Sequence, residues 1–152
     1  MPRINTHKLY LRMAREIAEC SYAERLKVGA IIVRDGRIIA TGYNGMPAGM
    51  ENTCEIRIDE DRLGKYHLKT RPEVVHAELN AILFAARNGV STEGAALYIT
   101  IAPCVPCAVA IMQAGIKEIY YCDVYDAACG NETDKLFTDN NIPVNHIILE
   151  DE

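Results

Sequence analysis

Two short stretches constrain this 152-residue chain more than any other part of its sequence: His76-Ala77-Glu78 and Pro103-Cys104-Val105-Pro106-Cys107. One imidazole and two thiols are ligands that zinc prefers. Three protein ligands with an open fourth position are typical of a catalytic zinc site rather than a structural one. Glu78 is then not needed as a ligand and is free for chemistry. The fold must therefore bring both stretches to one point.

The spacing within each stretch predicts where it lies. In the middle of a helix His76 and Glu78 would face different sides, so we expect them at the start of a helix. Cys104 and Cys107 are three residues apart, which brings both sulfurs to one side of a first helical turn. The free N–H groups and the positive dipole end of that helix favour thiolates. Two helix N-termini are therefore predicted to meet at one metal ion.

The rest of the pattern predicts an α/β fold with a single domain over residues 1–152. An amphipathic helix over about 5–20 precedes two apolar runs that flank Asp35-Gly36, the signal of a tight hairpin. Three helices then alternate with three strands: helices over 76–88, 105–114 and 132–140, and strands over 96–101, 116–122 and 144–149. This alternation predicts a mixed sheet with helices on both faces. The helix over 76–88 is apolar nearly all round and is predicted to be buried.

Two further segments need an interpretation. Residues 51–74 are heavily charged without sustained periodicity, which predicts an irregular insertion. Residues 95–112 carry no charge, and this length raises the question of a membrane span. Pro103 and Pro106 interrupt that stretch and its first part is rich in β-branched residues, so a buried strand followed by a buried helix is predicted instead.

Charge and composition narrow the class of partner. A net charge of −5 argues against a general nucleic-acid binder and favours a small-molecule partner. The N-terminus lacks the apolar run of a signal peptide, so we expect a cytoplasmic protein with no membrane partner. Its six cysteines are then expected to be reduced, and Cys-x-x-Cys indicates metal or redox chemistry before a disulfide.

The residue types assign a reaction class. Zinc lowers the pKa of a water in the open position to about 7. Glu78 can accept the proton of that water and deliver protons to a ring nitrogen and a departing amine. A structural zinc would require a fourth ligand and would leave Glu78 without a role, and a thioredoxin-like pair would leave His76 without one. His-x-Glu followed by Pro-Cys-x-x-Cys is the known signature of zinc-dependent nucleobase deaminases.

The chain resembles the deoxycytidylate (dCMP) deaminases of the cytidine deaminase-like superfamily over nearly its whole length. Beyond the metal motif, the resemblance is carried by Val28-Gly29-Ala30, Gly42-Tyr43-Asn44-Gly45-Met46-Pro47 and Gln113-Ala114-Gly115-Ile116-Lys117. Gly-Tyr-Asn-Gly is the stretch that distinguishes a resemblance to the dCMP deaminases from one to other members of the superfamily. The metal motif alone does not, because deaminases of cytidine, guanine, tRNA adenosine and a riboflavin precursor share it. The resemblance implies a three-layer αβα sandwich around a five-stranded mixed sheet. It also implies hydrolysis of dCMP to dUMP and ammonia, which supplies thymidylate synthesis.

Regulation and further site residues are implied by the same resemblance. It implies a homohexamer that is activated by dCTP with Mg²⁺ and inhibited by dTTP. The implied substrate residues are Asn44, Arg25, Lys27 and Tyr125, with the last three facing the phosphate or sugar. The implied residues of the effector site are Tyr43, Gly45, Phe84 and Arg87. Two alternatives stay open: a deaminase of another cytosine or guanine nucleobase or nucleoside, and a non-catalytic zinc-binding regulatory module.

Overall fold

The computed structural model describes residues 4–60, 62–124 and 127–149. Its helices are α1 (Thr6–Ala18), α2 (Ala77–Arg87), α3 (Val105–Gln113) and α4 (Ala127–Asp139). Its strands are β1 (Gly29–Arg34), β2 (Arg37–Tyr43), β3 (Glu55–Asp59), β4 (Tyr66–Thr70), β5 (Ala96–Ile101), β6 (Glu118–Asp123) and β7 (Val144–His146).

A five-stranded mixed sheet in the order β2-β1-β5-β6-β7 forms the centre of the fold. Strand β1 runs antiparallel to both of its neighbours, whereas β5, β6 and β7 are parallel. Side chains alternate across the sheet, so Ile31 packs with Leu11 of α1 on one face. Ile32, the next residue, packs on the other face with Ala81 of α2. The predicted three-layer αβα sandwich is confirmed.

Two local features of the sequence account for the start of α1 and for the turn between β1 and β2. The side chain of Asn5 caps α1 by accepting hydrogen bonds from the backbone N–H groups of His7 and Lys8. Asp35 and Gly36 connect β1 to β2 with φ angles of 52° and 71°. A two-residue turn with both φ angles positive matches the twist of the flanking strands, which is why Asp-Gly predicts it.

The prediction of an irregular insertion over 51–74 is wrong, because this segment contains the antiparallel hairpin β3–β4. These strands pair with each other and not with the central sheet. Most of their side chains are exposed. Such strands need few apolar residues, so the alternation of Ile56 and Ile58 with charged residues is only a short and weak strand signal in the sequence. Gly64, with a φ of 78°, lies between the strands and gives the turn signal that composition alone obscured.

Three other expectations are corrected. Helix α2 is buried along one face, formed by Ala77, Glu78, Ala81 and Ala85, whereas Leu83 and Phe84 are 51% and 54% exposed. Helix α4 begins at 127 rather than 132, and Gly130, which the sequence places in a loop, lies buried within its first turn. Strand β7 ends at His146, because pairing with β6 stops there.

Residues 95–112 form β5 and most of α3, and the described ranges contain no helix long and apolar enough to cross a membrane.

Gly42 allows α2 to approach the sheet closely. A Cβ at this position would lie 2.6 Å from Ala81 N and even closer to Ala77 O, both of which are backbone atoms. We therefore expect Gly42→Ala to lower the free energy of unfolding by about 3 kcal/mol or more, measured by urea denaturation. Gly45→Ala is the matched control, since its Cβ would meet only Tyr43 Cε2 at 3.9 Å. Equal stability of the two variants would contradict this packing.

Candidate active site

The two motifs lie at the N-termini of neighbouring helices, as their spacing predicts. His76 is the N-cap of α2, and Cys104 is the N-cap of α3. Glu78 and Cys107 follow within the first helical turns. Backbone hydrogen bonds between Gly45 and Val75, of 2.8 and 3.1 Å, fix the chain immediately before His76.

The three candidate ligands converge to within the reach of one ion. His76 Nδ1 lies 3.3 Å from Cys107 Sγ and 3.6 Å from Cys104 Sγ. All three ligand atoms lie within 4.8 Å of one another. Tetrahedral zinc, with bonds of about 2.0–2.1 Å to nitrogen and about 2.3 Å to sulfur, separates these two ligands by about 3.6 Å. The distances therefore fit a zinc ion.

The ionisation of the two thiols also fits a cation. Hydrogen bonds from Cys107 and His76 lower the pKa of Cys104 to about 4. The hydrogen bond to Cys104 and burial raise the pKa of Cys107, and the contact with Cys104 raises the pKa of His76. Two adjacent sulfurs do not readily carry two negative charges together. A divalent cation would compensate both charges.

Glu78 is a buried carboxyl group beside this cluster. Its side chain is only 3% exposed. Burial raises the pKa of Glu78, while its hydrogen bonds to its own backbone N–H and to Cys107 oppose that shift. A carboxyl group whose protonated and ionised forms are closer in energy is suited to accept a proton and to release it again. Glu78 therefore has the environment of a proton carrier.

A cavity of about 270 Å³ opens at the cluster and is lined by His76, Glu78 and Cys104. Its volume is near the lower end of the range for small-molecule sites. Its wall also includes Arg25 before β1, Asn44 after β2 and the pair Glu55 and Thr70 from β3–β4. The geometry is that of a site for one small molecule held beside the metal ligands.

The predicted substrate residues have different environments. Asn44 lines the cavity, but its Oδ1 accepts from Val28 N and its Nδ2 donates to Leu26 O, both at 2.8 Å. Arg25 also lines the cavity. Of the described residues in this group, Lys27 does not line it, and its Nζ lies 3.6 Å from Glu19 Oε2. Tyr125 lies outside the described residues.

The four residues implied for an effector site are not among those that line the cavity. Phe84 and Arg87 are exposed on α2, and Tyr43 is 37% exposed at the end of β2. Asn80 Nδ2 donates to Tyr43 O at 2.8 Å, which joins this end of β2 to α2. Gly45 bonds with Val75, next to His76. The segment over 43–45 therefore contacts the helix that carries His76 and Glu78.

Sequence reasoning missed Glu55 and Thr70. Both belong to the β3–β4 hairpin, where the sequence predicts an irregular segment, and in its register they face each other. Glu55 is only 9% exposed although it is charged. The signal that could have found them is the alternation on each side of Gly64, which would have placed the two residues at the base of a hairpin.

A family model described as "Cytidine and deoxycytidylate deaminase zinc-binding region" matches residues 4–123. The chain belongs to this deaminase family. The deoxycytidylate deaminase of Enterobacteria phage T4 is 42% identical, over 76% of this chain and 77% of that protein. The deoxycytidylate deaminase of Mycobacterium phage D29 is 39% identical, over 80% of this chain and 97% of that protein.

A solved structure of a family member has the same fold. The dCMP deaminase of cyanophage S-TIM5, crystallised with dCMP and dUMP, superposes with a TM-score of 0.79 at 32% identity. The match covers 97% of this chain and 100% of that one. The family is zinc-binding, and the cluster of His76, Cys104 and Cys107 fits the zinc ion that this membership implies.

Proposed function

We propose that this protein is a zinc-dependent dCMP deaminase, which hydrolyses dCMP to dUMP and ammonia within one domain over residues 1–152. The observation that carries the proposal is the convergence of the His76, Cys104 and Cys107 ligand atoms beside buried Glu78 at one cavity. Relatives named deoxycytidylate deaminases and the neighbour that binds dCMP and dUMP support this substrate.

The residues of the site have separate roles in the reaction. His76, Cys104 and Cys107 would hold zinc, which supplies the Lewis acidity that makes water a nucleophile near neutral pH. Glu78 takes one proton of the water that attacks the amine-bearing ring carbon and delivers it to the adjacent ring nitrogen. It then carries the second proton, from the new hydroxyl group on that carbon, to the amine, so that the C–N bond breaks, ammonia departs and a carbonyl group remains. Its burial keeps bulk water from competing for these protons.

The phosphate group of the substrate requires a cation at the cavity, and Arg25 meets this requirement. It is a lining residue, and a guanidinium group binds phosphate with paired, charge-assisted hydrogen bonds. Asn44 holds the chain on either side of Lys27 through its hydrogen bonds to Leu26 and Val28. Lys27 and Tyr125 remain further candidates for the phosphate and sugar.

A substrate panel tests the choice of substrate. We expect kcat/KM for dCMP to exceed that for deoxycytidine about a hundredfold, because charged hydrogen bonds to the phosphate are lost with the nucleoside. CMP, dCTP and guanine are the other members of the panel, and release of ammonia is the readout. Preference for one of these would indicate another nucleobase or nucleoside deaminase. Tight zinc binding without ammonia release from any of them would indicate a non-catalytic module.

Regulation and assembly extend the proposal. We place the enzyme in the cytoplasm as a homohexamer that supplies dUMP for thymidylate synthesis, activated by dCTP with Mg²⁺ and inhibited by dTTP. Large apolar side chains on the outward faces of α2 and α3 favour self-association: Leu83, Phe84 and Val109 are each more than half exposed. Light scattering with and without each effector, followed by dCMP assays, tests this. A protein that stays monomeric, and whose activity on dCMP neither nucleotide changes, would overturn this extension.

A further inference from the structure

The loop over residues 21–28 carries Arg25 to the cavity without regular secondary structure. Its polar groups, in the backbone and in the Ser21 side chain, instead find partners in other segments. Ser21 Oγ donates to Asn44 O at 2.7 Å, and the Asn44 side chain bonds the backbone of Leu26 and Val28. Because unpaired backbone groups are costly to bury, these bonds fix both ends of the loop. Its centre, at residues 24 and 25, is held by the hairpin.

Glu55 holds that centre through a single oxygen. Its Oε1 accepts from the backbone N–H of Glu24 at 3.0 Å and of Arg25 at 3.3 Å. Successive N–H groups that converge on one point form a concavity for an anion, and here the anion is the chain's own buried carboxylate. Hydrogen bonds to a charged acceptor are about twice as strong as neutral ones.

The side chain of Arg25 is held by the same rung of the hairpin. Arg25 Nη1 donates to Thr70 Oγ1 at 3.2 Å. Thr70 is the residue that faces Glu55 across β3 and β4. One rung therefore fixes both the backbone and the guanidinium group of Arg25, and all three residues line the cavity.

We infer that Glu55 is a positioning residue that, with Thr70, holds Arg25 for the phosphate of a nucleoside monophosphate. This inference rests on the proposed function. It assigns the β3–β4 hairpin a role in selectivity, because an arginine that is ordered before binding loses less conformational freedom when the phosphate arrives. The two N–H groups also partly neutralise the Glu55 carboxylate, which would otherwise repel a phosphate at the same wall.

The test compares dCMP with deoxycytidine, which lacks the phosphate. We expect Glu55→Ala to raise KM for dCMP about tenfold, with a smaller change in kcat, and to lower the preference for dCMP by a similar factor. Glu55→Gln keeps an oxygen acceptor and should recover most of that preference. Asp59→Ala, which removes an exposed carboxylate from the same strand, is the matched control and should leave the preference unchanged. Zinc content and thermal unfolding are recorded for each variant.

A second variant keeps the inference testable if Glu55→Ala does not fold. Thr70→Val is nearly isosteric, removes only the hydroxyl acceptor of Arg25 and should raise KM for dCMP about fivefold. In an Arg25→Ala background, Glu55→Ala, Glu55→Gln and Thr70→Val should each change KM for dCMP by no more than about twofold.

The outcomes separate the inference from the function on which it rests. Wild-type protein that is inactive on dCMP overturns the proposed function and the role of Glu55 together. Active wild type with an unchanged preference in Glu55→Ala and Thr70→Val overturns the role of Glu55 alone. Three other results would also overturn the role of Glu55 alone. They are an equal loss of kcat/KM on dCMP and deoxycytidine, a lower KM for dCMP, and an undiminished change in KM when the substitutions are made in the Arg25→Ala background.

Discussion

Replacing Glu78 with glutamine is expected to lower kcat for dCMP about 10³-fold while the bound zinc stays unchanged. The amide has nearly the shape of the carboxyl group, so the start of α2 keeps its packing. It cannot accept the proton of the attacking water or return one to the leaving amine. Glu78 is buried beside the cluster but is not one of its three ligands. The substitution should therefore lower turnover without lowering the zinc content. Steady-state kinetics and metal analysis on the same samples measure both.

The matched control is Glu73→Gln, which removes an exposed carboxylate three residues before His76. We expect this variant to keep the wild-type rate and the wild-type zinc content. A Glu78→Gln protein that retained zinc and deaminated dCMP at the wild-type rate would contradict the proposed role. The proton carrier would then have to be another group at the cavity.

Replacing Cys104 with serine is expected to weaken zinc binding by more than about 10²-fold and to abolish turnover at ordinary zinc concentrations. Even changes to groups behind a zinc ligand cost 10- to 100-fold in affinity, and here a ligand itself is lost. The protein should remain folded, because its two apolar cores lie on the faces of the sheet and do not include Cys104. Metal analysis, circular dichroism and dCMP turnover give the three readouts.

Cys122→Ser is the control for the Cys104 variant. Cys122 is buried on β6, where its Sγ donates to Thr100 O at 3.3 Å, and a serine hydroxyl can make the same bond. We expect this variant to keep its zinc and its activity. Full zinc content and full activity in Cys104→Ser would contradict the assignment, since the metal would then be bound by other residues.

The features that the sequence predicted well depend on local chemistry. Pro103 to Cys107 could be placed at a helix start because proline is common in a first turn and a helix N-terminus stabilises thiolates, and α3 does begin there. Asp35-Gly36 could be placed in a tight turn because its two positive φ angles suit few other residues. The juxtaposition of His76 with Cys104 follows from these local signals and from the order of the strands.

The features that the sequence did not predict depend on partners distant in the chain. Glu55 looks like one more charge in a charged segment until β3 pairs with β4 and places it against Glu24 and Arg25. Asn44 lines the cavity, and both polar atoms of its side chain also bond the loop before β1, which lies 16 or more residues away in the chain. In α2, Ala77, Ala81 and Ala85 are buried against the core and Phe84 faces outward, which hydropathy alone does not distinguish.

The most direct test of zinc-dependent dCMP deamination is a titration of metal-depleted protein with zinc, in which ammonia release from dCMP is recorded. The one cluster of His76, Cys104 and Cys107 in the described residues predicts a linear rise that stops at one zinc per chain. It also predicts one dUMP for each ammonia released. Ammonia release that does not depend on zinc, or zinc binding at one equivalent without any conversion of dCMP, would contradict the account.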